Sequence, residues 1–263
     1  MPRETSYIER LFGVRGKRVV VTGGVRGIGR AIAQGFVEGG AEVVVTSRSA
    51  EDCARAEDEL GASGTCRAVP ADLSTVAGCR EFAATIGSLF PALDVLVNNA
   101  GAQHEQPLPE FSEDGWDHVH DVNVKAPFFL VQALLPLLEA TGSADEPARV
   151  ITVGSVNALR VAKRDVYAYS SSKAAAHHLS THLAARLAPG ITVNVLAPGM
   201  FVTGLRREGK EYRRDPAVLA EVPLGRFVGP SDVAGAALYL ASTAGSGLTG
   251  VVIPVDCGLA TTR

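Results

Sequence analysis

The sequence predicts an α/β fold: an open, doubly wound parallel sheet of about seven strands with helices on both faces, in one domain spanning residues 1–263. Three observations predict it. Short β-branched runs alternate with longer helical stretches along the whole chain. The runs are apolar almost throughout rather than alternating, as strands covered on both faces must be. No linker, repeat or low-complexity stretch divides the chain. Such alternation folds as right-handed βαβ units, and ligands bind beyond the carboxyl ends of the strands, where strand order reverses.

Each element follows in order. Residues 1–17 read as an N-terminal extension. Strands are expected at Arg18–Thr22, Glu42–Ser47, Thr65–Ala71, Asp94–Asn98, Arg149–Ser155, Thr192–Ala197 and Val251–Asp256. Helices are expected at Gly27–Glu38, Ala50–Leu60, Ser74–Leu89, Gly115–Glu139, Val166–Leu187 and Ser231–Ala241. Ser74 and Ser231 suit helix N-caps, since a side-chain oxygen there accepts a free backbone N–H.

Composition narrows the class. With 46% hydrophobic residues, 20% charged residues and a net charge of −3, the chain reads as a soluble globular protein, not a disordered, collagen-like or coiled-coil one. The charge gives no basic footprint for nucleic acid. No apolar run approaches the ~18 residues of a membrane span, and the N-terminus has no apolar core of a secretion signal. Cys53, Cys66, Cys79 and Cys257 are far apart with no C-x-x-C pair. The expectation is a cytoplasmic protein with reduced thiols, no zinc site, and neither nucleic acid nor membrane as partner.

The first strand runs into Gly23-Gly24-Val25-Arg26-Gly27-Ile28-Gly29 and then a helix. Glycines there allow a tight turn and close backbone approach to a pyrophosphate, whose charge meets free N–H groups at the positive helix end. This is the arrangement of a Rossmann-type nucleotide site. No Gly-Lys-Ser/Thr ending follows, which disfavours a phosphate-transfer loop. The second strand ends at Thr46-Ser47-Arg48-Ser49, without the acid that would hold both ribose hydroxyls of NAD. Arg48, with Arg26 opposite, suits a 2′-phosphate because a guanidinium offers several donors in a rigid fork. NADP(H) is therefore expected over NAD(H); the alternative for either arginine is a solvated surface charge, which suits Arg26 alone equally well.

Tyr169 and Lys173 stand four apart in a helical stretch, so they share a face. An ammonium beside a phenol favours the phenolate and lowers its pKa from ~10, which suits acid–base work. Ser155, at the end of the preceding strand, could hydrogen-bond a substrate carbonyl.

Together these residues make the chain resemble the short-chain dehydrogenase/reductase family. The resemblance rests on Thr22-Gly23-x-x-x-Gly27-x-Gly29, Asp72, Asn98-Asn99-Ala100-Gly101, Asn123, Ser155, Tyr169 with Lys173, Asn194, Pro198-Gly199, Thr203 and Val255-Asp256. They occur in family order over nearly the whole chain.

The resemblance implies an NAD(P)-dependent oxidoreductase interconverting a carbonyl and a secondary alcohol. It makes Tyr169 the general acid or base, Ser155 the holder of the carbonyl oxygen, and Lys173 the partner of the nicotinamide ribose. Asn123 would anchor a water linking Lys173 to solvent. Gly23, Arg26, Gly27, Ile28, Gly29, Ser47, Arg48, Ser49, Asp72, Leu73, Asn99, Ala100, Gly101, Tyr169, Lys173, Pro198, Gly199 and Thr203 would form the cofactor site, Asp72 meeting adenine. Asn194 and Asp256 read as structural. His177, His178 and His182 read as core or interface residues rather than metal ligands. Two departures from the family pattern are Gly154, where a second serine is common, and Cys257, where glycine often stands.

Residues 203–222 occupy the position of the family's substrate lid. Arg206, Arg207, Lys210, Arg213 and Arg214 there, with Lys163 and Arg164 before Tyr169, would present a basic rim to an anionic or carrier-linked substrate; mixed charge also suits a plain solvated surface. Within the family the chain most resembles NADPH-dependent 3-oxoacyl reductases of the rhamnolipid type. The alternatives are a dehydrogenase of a sugar, polyol or cyclic alcohol, and a non-catalytic nucleotide sensor or scaffold on the same fold. The stretches Gly115–Glu139 and Val166–Leu187 match faces through which family members form dimers or tetramers; Phe128, Leu134, Leu179 and Leu183 suit such a face and suit a monomer core equally well.

Overall fold

The structure, a computed structural model, describes residues 6–201, 216–260 and 262. Seven strands form one sheet: β1 (Arg18–Thr22), β2 (Glu42–Ser47), β3 (Thr65–Pro70), β4 (Val95–Asn98), β5 (Ala148–Val153), β6 (Ile191–Pro198) and β7 (Val252–Val255). Their order is β3-β2-β1-β4-β5-β6-β7, and every neighbouring pair is parallel. Direction of winding reverses between β1 and β4, so the ligand crevice opens beyond Thr22 and Asn98.

Side chains alternate faces along each strand, and both faces are apolar, so both become core. Val19, Val21, Val43, Val45 and Val97 pack with Ile32 and Phe36 of α2 (Gly27–Glu38). Val20, Val44, Leu96 and Val150 pack on the other face with Phe82, Ile86, Leu130, Leu134 and Leu138. Burying one such leucine contributes roughly 1.5–3 kcal/mol.

The remaining helices among the described residues are α1 (Tyr7–Phe12), α3 (Ala50–Gly61), α4 (Val76–Leu89), α5 (Glu113–His120), α6 (Ala126–Glu139), α7 (Tyr167–Leu187), α8 (Pro216–Leu219) and α9 (Pro230–Ala241). Side-chain caps start several of them: Ser49 accepts from the Asp52 N–H, Thr75 from Gly78, and Ser112 from Gly115.

Several expectations are corrected by local chemistry. The extension contains α1, begun by Ser6 and Glu9, whose reciprocal hydrogen bonds form a capping box. Thr75, not Ser74, caps α4: the helix begins at Val76, and the Thr75 hydroxyl accepts the Gly78 N–H at 3.0 Å, while the Ser74 N–H donates to the Asp72 carboxylate. Ser231 lies inside α9; Asp232 instead reaches back to the Gly229 N–H at 2.8 Å.

The expected helix Gly115–Glu139 is two helices joined by a π-helical turn at Asp121–Lys125. A π turn inserts an extra residue into the helical ladder, and Asn123 sits in it. The continuous stretch Glu113–Glu139 is long and apolar enough to cross a membrane by length and composition, although polar residues interrupt it. Here Leu130, Leu134 and Leu138 face the protein core. Of the positions open to either reading, Leu134 lies in the core and Phe128 is exposed.

Candidate active site

A cleft of about 520 Å³ runs along the carboxyl ends of the strands, from Arg48 at one end to Tyr169 at the other. At the nucleotide end, β1 delivers its chain into a loop where Gly23 has φ +63° and Gly27 φ +58°, the left-handed region that glycine enters without steric cost. Asn99 locks this loop to β4: its side chain donates to the carbonyls of Thr22 at 2.8 Å and Gly23 at 3.1 Å. The Thr22 hydroxyl accepts the N–H groups of Asn99 and Ala100, both at 2.9 Å. At Gly29 a Cβ would lie 2.2 Å from the Asn99 side-chain nitrogen, so only glycine permits the helix to start this close.

Arg26, Ile28, Ser47 and Arg48 line the same end, both arginines exposed toward the cleft. Ser49, which lies beyond Arg48, is committed to capping α3. Asp72 and Leu73 form the opposite wall. Hydrogen bonds from Ser74 hold the Asp72 carboxyl below its usual pKa, with Arg48 and His118 adding to the effect. Ala100 and Gly101 continue the wall toward Pro198 and Gly199. The Gly199 N–H donates to the Val255 carbonyl at 3.0 Å, and a Cβ there would meet Asp256 at 2.8 Å.

At the other end, α7 carries Tyr169 and Lys173 on one face, with the lysine Nζ 5.7 Å from the centre of the tyrosine ring. Lys173 is buried and donates to the Val153 carbonyl at 2.7 Å. Burial pushes its pKa down to about 8. The protein groups around Tyr169 raise the phenol's pKa: burial dominates, and a hydrogen bond from Ser155 pulls partly the other way. This differs from the expected depression, because the ammonium lies over the ring rather than beside the hydroxyl. Ser155 does not end a strand. It lies two residues past β5 and caps the 3₁₀ turn Val156–Ala158, its hydroxyl accepting the Asn157 N–H at 3.1 Å.

Asn123 is buried, and its side chain is fully engaged. It accepts the Ala102 N–H at 2.8 Å and donates to the Ala102 carbonyl and the Ser172 hydroxyl, both at 2.9 Å. The asparagine therefore braces the loop after β4 against α7.

Asn194 and Asp256 have the structural tasks expected of them. Asn194 bridges the Leu248 carbonyl and the Val251 N–H, and Asp256 accepts from Gly258 and Ala260. Cys257 has φ +56°, which explains why glycine suits this position. Cys53, Cys66 and Cys79 are free and buried, and Cys257 is half-buried. His177 is buried, while His178 and His182 are exposed on α7. The basic rim is partly neutralised: Lys163 pairs with Glu221, and Arg164 with Glu105. Thr203, Arg206, Arg207, Lys210, Arg213 and Arg214 lie outside the described residues. Thr46, Gln103, His118 and Phe201 also line the cleft, and Ser172 braces it. Spacing gave no sign of His118, whose place depends on α5 folding over the cleft.

The chain's own groups fit a nicotinamide dinucleotide. No side chain caps the start of α2 at Gly27, and the buried Thr46 hydroxyl, which lines the cleft beside Arg48, has no protein partner. Comparison with known proteins agrees. The family profile described as Enoyl-(Acyl carrier protein) reductase matches residues 23–260. The rhamnolipids biosynthesis 3-oxoacyl-[acyl-carrier-protein] reductase of Pseudomonas aeruginosa is 45% identical over 252 residues, covering 94% of this chain and 97% of that protein. Gluconate 5-dehydrogenase of Gluconobacter oxydans is 32% identical, over 95% of this chain and 96% of that one. The solved Pseudomonas aeruginosa RhlG/NADP active-site complex superposes with a TM-score of 0.90 at 44% identity, covering 95% of this chain and 99% of the other. Shared sequence, shared fold and Ser155, Tyr169 and Lys173 gathered at one end of the cleft, with Asn123 braced behind them, make this chain a member of the short-chain dehydrogenase/reductase family, an oxidoreductase of carbonyl and alcohol groups.

Proposed function

We propose that the protein reduces a ketone to a secondary alcohol with NADP(H), most suitably a 3-oxoacyl thioester. The observation that carries this reading is one cleft with Arg26 and Arg48 at one end and Ser155, Tyr169 and Lys173 at the other. The 45% identity to a 3-oxoacyl-[acyl-carrier-protein] reductase supports the substrate class. Bound at the cleft, the nicotinamide supplies the reducing equivalent at carbon.

The chain's own groups handle the proton. Ser155 and Tyr169 converge on the carbonyl oxygen, and the phenol delivers the proton that makes it a hydroxyl. A phenol held high in pKa stays protonated, as a proton donor must. Lys173, anchored on the Val153 carbonyl, holds its ammonium over the ring, and we assign it to the nicotinamide ribose. Asn123 holds the loop at Ala102 so that this wall keeps its shape. The guanidinium groups of Arg26 and Arg48 select a 2′-phosphate. We assign the basic residues of 203–215 to carrier contact, and a homodimer or tetramer to the outward faces of α5 to α7, where Trp116, Phe128 and Tyr167 are exposed. A soluble reductase supplied with NADPH suits the cytoplasm.

The test is NADPH oxidation measured against 3-oxoacyl thioesters (free and carrier-linked), cyclic ketones and keto-sugars. The highest kcat/KM is expected for the thioesters. A preference for keto-sugars would overturn the substrate assignment and leave the family intact.

A further inference from the structure

The middle of α7 is joined to the end of β5 by a ladder of polar contacts. Lys173 Nζ donates to the Val153 carbonyl at 2.7 Å, and the Ser180 hydroxyl donates to the Thr152 hydroxyl at 3.1 Å. Between them, His177 Nε2 accepts the backbone N–H of Ser155 at 3.4 Å. Residues 173, 177 and 180 are four and three apart, so they form one stripe of the helix. The middle contact is unlike the others because it holds the residue whose hydroxyl faces the reacting oxygen.

Gly154 shows how closely the ring fits. A Cβ at this position would lie 2.0 Å from His177 Nε2 and 2.8 Å from Val195 Cγ1. The imidazole therefore occupies the space that a side chain at 154 would need, which accounts for glycine at this position. His177 is only 7% exposed and Ser155 6%, so the contact is buried.

We propose that His177 is a positioning residue for carbonyl reduction: its ring accepts the Ser155 N–H and fills the space beside Gly154, which sets where the Ser155 hydroxyl points. The inference rests on the reaction assigned above. To accept at Nε2 the ring must be neutral, with its proton on Nδ1. Burial, helped by the Lys173 charge, lowers the imidazole pKa to about 4, so the ring is neutral throughout the working range.

The test compares His177→Gln, which keeps an acceptor near the Nε2 position, with His177→Leu, which fills the space without one. kcat for 3-oxoacyl thioester reduction and Kd for NADPH are measured on each. His177→Leu is expected to lose at least roughly tenfold in kcat with NADPH Kd within about twofold, and His177→Gln to keep about half of the wild-type kcat or more. Should His177→Leu not fold, His177→Asn, too short to reach the amide, is expected to show the same loss.

A cycle with Ser155→Ala completes the test. Acting through Ser155, the His177 substitution should lower kcat by less than about twofold in that background. Wild-type kcat in His177→Leu, or an equal loss with and without the Ser155 hydroxyl, would overturn the inference. Tyr169→Phe serves as the control: turnover near the wild-type rate in that variant would instead overturn the assigned reaction.

Discussion

Lys173 Nζ donates to the carbonyl of Val153 at 2.7 Å, joining the helix that carries the phenol to the strand that leads to Ser155. Without that bond an ammonium in this position would be a buried, unpaired charge, which costs several kcal/mol. The bond also aims the charge over the Tyr169 ring. One contact thus serves both the packing of α7 on β5 and the electrostatics of proton transfer.

Replacing Tyr169 by Phe removes the proton donor and little else, since the ring stays. Turnover should fall by about 10²–10⁴-fold while NADPH affinity and melting temperature stay near wild type. Steady-state kinetics with cofactor fluorescence titration checks this.

Arg48→Ala should weaken NADPH binding by roughly tenfold and leave NADH binding nearly unchanged, because a charge-assisted contact to phosphate is lost and no other. Isothermal titration with the two cofactors reads the difference directly. A native preference for NADH would sink the assignment of the 2′-phosphate site.

Gly29→Ala places a methyl 2.2 Å from the Asn99 side-chain nitrogen. Strain of about 1–3 kcal/mol is expected, relieved by movement of the glycine loop away from Asn99. NADPH affinity should drop more than thermal stability does, which paired titration and melting experiments would show.

Stability should depend on pH through two buried bases. Lys173 has a folded pKa of about 8 against 10.5 ordinarily, so between these values the unfolded chain holds the extra proton and stability rises with pH. His177, at about 4 against 6.5, does the same between pH 4 and 6.5. Denaturation midpoints measured across pH should flatten in the upper window for Lys173→Met and in the lower window for His177→Gln.

What the sequence alone determined was the sheet, the nucleotide loop and the Tyr169–Lys173 pair. Continuous valine runs read as buried parallel strands because their periodicity is local, and a four-residue spacing on a helix places two side chains together without any further information. Tertiary structure decided the rest. The π turn at Asn123, the bracing of that asparagine by Ser172, and the seat of His177 against Gly154 all depend on contacts between segments tens of residues apart. The sign of the Tyr169 shift was decided there too, since burial acts through every neighbour at once while a spacing names only one.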